Sequence, residues 1–234
     1  DNSAITSGGA IYNANYLLLR QRSVRGNIAT NGGGVFTQGF SEIRNTTFDN
    51  NFAYAAGEGA ALSFSIGSGK VKNVTLSNNG TAQNPALLVS PAASIEIAYT
   101  AVGHEGGFLS CAAYGQITSY GYNADSGDSC RFTNTTDKLN TAFSFGPLSE
   151  SLATKAGVPT DEVANIHRPG LGLLADSGEN FANTIDDPAA PGCSKVDARG
   201  VTRPKGACDI GAVEVVPNAK PPRVPGDGGG VITP

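Results

Sequence analysis

Along the first half of the chain, apolar residues recur in pairs five apart, each pair followed by a polar turn: Leu19/Val24, Ile43/Phe48, Val71/Leu76, Ile97/Val102 and Ile117/Tyr122. Successive first members lie 24, 28, 26 and 20 residues apart. A second apolar column runs ahead of them through Ile11, Val35, Leu62 and Leu88. The segments LRQRSVRGN, IRNTTFDNN and VKNVTLSNN superimpose without gaps. Each closes on an asparagine (Asn27, Asn51, Asn79) and carries Gln21, Asn45 or Asn73 two residues after its first anchor. In one straight strand, residues five apart face opposite sides. Both anchors point inward only if the chain bends between them. Three short strands per coil of about 25 residues, stacked in register, meet that condition. The pattern predicts an all-β fold, a parallel β-helix over residues 1–125.

Glycine and asparagine then acquire mechanical roles. Glycine turns a sharp corner at positive φ without a Cβ penalty, and asparagine is the next most tolerant residue there. Stacked asparagine side chains also hydrogen-bond along an in-register ladder. An antiparallel sandwich would instead place hairpin turns every 8–12 residues or so. A leucine-rich repeat would need several leucines per unit and a helical outer face.

The motif pair GGAIY at 8–12 and FDNN at 48–51 resembles the paired repeats of polymorphic outer-membrane proteins, which are β-helical surface passengers. It softens to Gly59-Ala60-Ala61-Leu62, and to Val24 with Asn27 and Leu76 with Asn79. This resemblance spans residues 1–80. Together with the general chirality of polypeptides, it implies a right-handed coil.

After about residue 126 the register is lost. SESLATKAG (149–157) and TDEVANIH (160–167) read as short helices, the second capped by Thr160 or Asp161. The string DARGVTRPKGACDIGAVE then resembles the terminal module of bacterial choice-of-anchor Q surface proteins. The matching residues are Asp197, Arg199, Gly200, Arg203, Pro204, Gly206, Cys208, Asp209, Ile210, Gly211, Ala212 and Glu214. Where that family more often has Ser-Pro-Ala-Ile-Asp, this chain has NTIDDPAAP. The open end of a β-helix exposes its core and strand edges. Residues 126–216 are therefore expected to form a small disulfide-bonded cap, with a salt-bridge cluster of Asp197, Arg199, Arg203, Asp209 and Glu214. Residues 217–234 read as a Pro/Gly-rich linker tail.

Composition sharpens this picture. Of 234 residues, 39% are apolar and only 15% charged, with 31 glycines and neither Met nor Trp, as suits a turn-rich β protein. A net charge of −4 argues against nucleic-acid binding. No apolar run reaches the roughly 18 residues of a membrane span. Asp1 is expected to be a processed or truncated start, with further coils before it or a neighbour stacked on the first rung. Cys111, Cys130, Cys193 and Cys208 lack CxxC spacing, and only His104 and His167 could join them, so zinc is not expected. Two disulfides between sequence neighbours, Cys111–Cys130 and Cys193–Cys208, are expected instead. They imply an oxidising compartment.

Candidate chemistry is sparse. Glu105 and Asp125, beside His104, are the one carboxylate pair in adjacent coils with a catalytic look, and solvated turn acids are the plainer reading. No catalytic residue, metal or cofactor is expected. Arg20, Arg44 and Lys72, followed by Glu96, read as an outward column, and the three cations are a possible contact for an acidic glycan. The four N-x-Ser/Thr sites at Asn45, Asn73, Asn79 and Asn134 read largely as by-products of Asn-Thr-rich coils. The expectation is an extracellular cell-surface protein with a structural, adhesive, filament- or surface-layer-forming or glycan-binding role, and cell-surface polysaccharide or copies of itself as partners. The alternative is a polysaccharide lyase or glycoside hydrolase whose active site lies partly in further coils.

Overall fold

In the computed structural model, the residues described are 1–103, 109–140, 145–150, 165–169, 193–194, 196–198, 203 and 208–212. They form a parallel β-solenoid of five stacked rungs. The first rung holds β1 (Ile11–Asn13), β2 (Tyr16–Arg20) and β3 (Ser23–Arg25), with β4 (Ile28–Ala29) at its closing corner. The second repeats it as β5 (Val35–Thr37), β6 (Phe40–Arg44), β7 (Thr47–Asp49) and β8 (Phe52–Ala53). In the third and fourth, the first two strands fuse into β9 (Leu62–Lys72) and β11 (Leu87–Ala98), followed by β10 (Thr75–Ser77) and β12 (Ala101–Gly103). The fifth comprises β13 (Cys111–Ala113), β14 (Gln116–Ser119) and β15 (Ala124–Asp125). Every strand pairing between rungs is parallel.

Three inward columns make the core. Ile11, Val35, Leu62, Leu87 and Cys111 align along the first sheet. Leu19, Ile43, Val71, Ile97 and Ser119 align along the second. Val24, Phe48, Leu76, Val102 and Asp125 align along the third. Phe48, Ile43 and Leu76 are completely buried between sheets. Two assignments made from the pattern change. Leu87, not Leu88, continues the first column, because alternation cannot separate two adjacent leucines. In the last rung Ser119 and Asp125 replace Ile117 and Tyr122: Ile117 pairs with Ile95, and Tyr122 turns out to stack on Tyr99 with ring centroids 5.1 Å apart.

The corners carry their expected glycines and asparagines in two adjacent roles. Gly26, Asn50 and Asn78 take positive φ (62°, 52° and 53°) and turn the chain. The next residues, Asn27, Asn51 and Asn79, form the ladder. Asn27 Nδ2 donates to Asn51 Oδ1 at 2.9 Å, and Asn51 Nδ2 to Asn79 Oδ1 at 2.8 Å. The same oxygens accept the main-chain N–H of Asn27 and Asn51. Asn2 extends the ladder downward by donating to Asn27. In GGAIYN, Gly8 turns at φ 71°, and a Cβ on Gly9 would collide with the Gly33 carbonyl of the next rung.

Residues 126–140 close the C-terminal end. Phe132 is buried in the main core and Leu139 packs against it. Cys130 bonds to Cys111 of β13, with their Cα atoms 4.7 Å apart. Closing a loop with this sequence separation of 19 is worth about 3 kcal/mol in the chain-entropy model. The inward Asp125 carboxylate accepts the N–H groups of Gly127 and Cys130, so the last rung ends on a polar residue because the lid supplies donors.

The described part of 193–212, joined by Cys193–Cys208, lies along the flank of the solenoid rather than over its end. It touches the first rung where Gln21 Nε2 donates to the Asp197 carbonyl. It touches the third through Ser194 N–H to Asn73 Oδ1 (3.0 Å) and Ala212 N–H to Thr75 Oγ1 (2.9 Å). Gly211 N–H reaches the Tyr99 carbonyl at 2.8 Å, and Ile210 packs on Ala101 and Ala124. β16 (Phe145–Glu150) and β17 (Asn165–Pro169) pair antiparallel. Ser149–Glu150 and Asn165–His167 are therefore strand where short helices were expected. The rest of those two stretches lies outside the described residues.

Removing the middle of the asparagine ladder strands several buried donors and acceptors, each costing about 1–3 kcal/mol. Asn51→Ala is expected to lower the free energy of unfolding by about 3 kcal/mol or more in urea melts. Asn31→Ala, which breaks one part-buried bond to Ser7, should cost less than about 1 kcal/mol.

Candidate functional site: the outer face of the second sheet

Strands β2, β6, β9, β11 and β14 present alternate residues outward. Register places Tyr16, Phe40, Ser68, Ser94 and Gln116 in one outer column. Leu18, Glu42, Lys70, Glu96 and Thr118 form the next, and Arg20, Arg44, Lys72 and Ala98 a third.

The expected cation column is thus real as a register, but it is not an open surface. Arg44 is 5% and Lys72 1% exposed. Arg44 Nη2 and Arg20 Nη2 both reach Glu42 Oε1, at 2.8 and 2.7 Å, so one carboxylate of the neighbouring column sits between two guanidinium groups. Lys72 Nζ lies 5.9 Å from the Tyr99 ring centroid, and Cys208 of the flank segment packs against Ala98 and Tyr99 one rung further on. Glu96 belongs to the Lys70 column, and Ala98 occupies the place given to it. Only Arg20, its side chain 46% exposed, remains at the surface as foreseen.

Beside that consumed column lies an open trough. Phe40, Ser68, Gly69, Lys70, Ser94, Ile95, Glu96, Gln116 and Thr118 line a depression of about 180 Å³. Small side chains at Ser68 and Ser94 leave the floor low. The Tyr16 and Phe40 rings stack at one end, centroids 5.6 Å apart with planes 16° from parallel. Lys70 Nζ and Glu96 Oε2 pair at 3.4 Å along the side, each side chain about one-third exposed. The sequence carries a signal for this: YLLLR and FSEIR each place an aromatic residue three positions before the inward anchor.

The remaining acids of the coils are tied into the scaffold. Asp49 accepts from Asn78 Nδ2 and Ser77 Oγ and faces Arg25 Nε at 3.7 Å. Glu58 accepts from Ser63 Oγ. Asp125 is fully buried in its lid bonds. Its expected partners His104 and Glu105 lie outside the described residues. In the flank segment, Arg203 donates to the main-chain carbonyls of Asp209 (3.3 Å) and Gly211 (2.9 Å) and so fixes a loop. Asp197 and Asp209 are buried, while Arg199 and Glu214 lie outside the described residues. Asn45, Asn73 and Asn79 are buried in the rungs, which leaves Asn134 as the partly exposed member of the four sequons.

No family model matches the chain, and neither the curated proteins nor the solved structures give a significant match.

The two arginines on Glu42 should separate in their energetics. Removing one partner of a buried ion pair costs about 3 kcal/mol or more, whereas an exposed pair contributes about 1 kcal/mol or less. Arg44→Ala is expected to destabilise by about 3 kcal/mol and Arg20→Ala by less than about 1 kcal/mol, read from chemical denaturation of each variant.

Proposed function

We propose that this chain forms the solenoid of an extracellular, surface-displayed β-helix protein of the choice-of-anchor Q kind, with a structural and adhesive role. What carries the reading is how the acids of the described rungs are used. Glu42, Asp49 and Glu96 each bond to a neighbouring rung, Asp125 holds the lid, and Glu58 accepts from Ser63 at the start of its own rung. Hydrolysis of a glycosidic bond needs two carboxylates facing one substrate bond, with about 5–9.5 Å between them. Carboxylates held by arginine, lysine and main-chain N–H groups are suited to joining rungs instead.

Two disulfides suit an oxidising compartment. A lateral surface that repeats from rung to rung offers several similar shallow contacts, and multivalent display of such contacts turns weak binding into firm attachment.

Beads coated with the full chain are expected to bind polysaccharide-coated surfaces while releasing neither new reducing ends nor unsaturated sugars. Turnover of any polymer in such a panel would overturn the reading in favour of a lyase or hydrolase. Protein taken from its native source under alkylating conditions should show all four cysteines oxidised by mass spectrometry. Four free thiols would overturn the extracellular assignment.

A further inference from the structure

We propose that the trough on the second sheet is a binding subsite for a neutral oligosaccharide, a specificity that rests on the adhesive reading and narrows it. Three observations converge there. First, the Tyr16–Phe40 stack offers an aromatic surface at the edge of the depression, with Tyr16 62% exposed. The apolar C–H face of a pyranose ring packs on such a surface, and a polar rim fixes its orientation.

Second, the lining is supplied with donors and acceptors suited to hydroxyl groups, Ser68 and Ser94 on the floor and Gln116 and Thr118 beyond them. They are repeated along the stacking axis, in successive rungs about 4.8 Å apart. From Phe40 in the second rung to Gln116 in the fifth is three such steps, roughly 14 Å, which suits a short linear oligosaccharide.

Third, charge selects the class of sugar. The two ionic side chains in the trough, Lys70 and Glu96, are paired with one another, so the lining carries no net charge. The nearby cations that could attract an acidic polymer are engaged: Arg44 and Arg20 bind Glu42, and Lys72 is buried. A uronic-acid chain would place carboxylates beside Glu96 without a free cation in the trough to offset them. A neutral chain meets no such penalty.

The test is isothermal titration of the full chain with cellohexaose, mannohexaose, laminarihexaose and hexagalacturonate, at low and high salt. At least one neutral hexasaccharide is expected to bind, with affinity changing less than about twofold between the two salts, because screening acts on charges and not on ring stacking. Phe40→Ala, at a half-buried outer position, should weaken binding about tenfold or more. Ser94→Trp should abolish it by filling the floor, and both variants should retain the melting profile of the parent. Preference for hexagalacturonate with steep salt dependence overturns the proposal, as does neutral binding that survives both substitutions. Beads that still adhere to polysaccharide although no neutral hexasaccharide binds overturn this inference alone. Beads that never adhere overturn the adhesive reading with it.

Discussion

Main-chain hydrogen bonding between successive rungs is the constraint on which the rest depends. A parallel strand has its N–H and C=O groups satisfied only by strands above and below, so each rung must copy the backbone path of its neighbour. That requirement explains why corner residues recur in kind: Gly26, Asn50 and Asn78 share one left-handed turn. It also explains the asparagine ladder. A corner breaks the strand pairing, and the Asn27, Asn51 and Asn79 side chains replace the missing main-chain partners, each side-chain oxygen accepting both the side-chain amide and the main-chain N–H of the asparagine one rung before it.

Much of this was legible in the chain, for a physical reason. Inward columns are read by hydrophobicity, and they hold through Ile97 and Val102 of the fourth rung. They fail where hydrophobicity stops being the rule. Ser119 and Asp125 line the last rung because the lid supplies polar partners, the Asp137 carboxylate accepting from Ser119 and main-chain N–H groups donating to Asp125, so the apolar Ile117 and Tyr122 are not the inward residues there. Leu87 and Leu88 differ only in which face they take, and no local pattern distinguishes them.

The outer surface was less legible. Register correctly aligns Arg20 with Arg44 and Lys72, but what covers an outward residue depends on segments far away in sequence. Asn73 and Thr75 receive the flank segment through one side-chain oxygen each, from N–H groups more than a hundred residues on. Such contacts have no composition of their own. The trough is illegible in the chain for the opposite cause: it is made by what is small, at Ser68, Gly69 and Ser94, between residues that are large.

The uneven rung lengths have a consequence for engineering and for evolutionary drift. Ala29 pairs with Ala53, yet the chain takes six residues to reach Val35 from the first and nine to reach Leu62 from the second. Three residues of slack are absorbed in one corner, around Tyr54 and Gly57, where Tyr54 is 67% exposed and a Cβ on Gly57 would touch nothing. The rungs act as a rack whose teeth must stay in step, while the corners act as slack cable. Foreign peptide spliced into that corner would be displayed at a fixed height on the rod, leaving the pitch of the rack untouched.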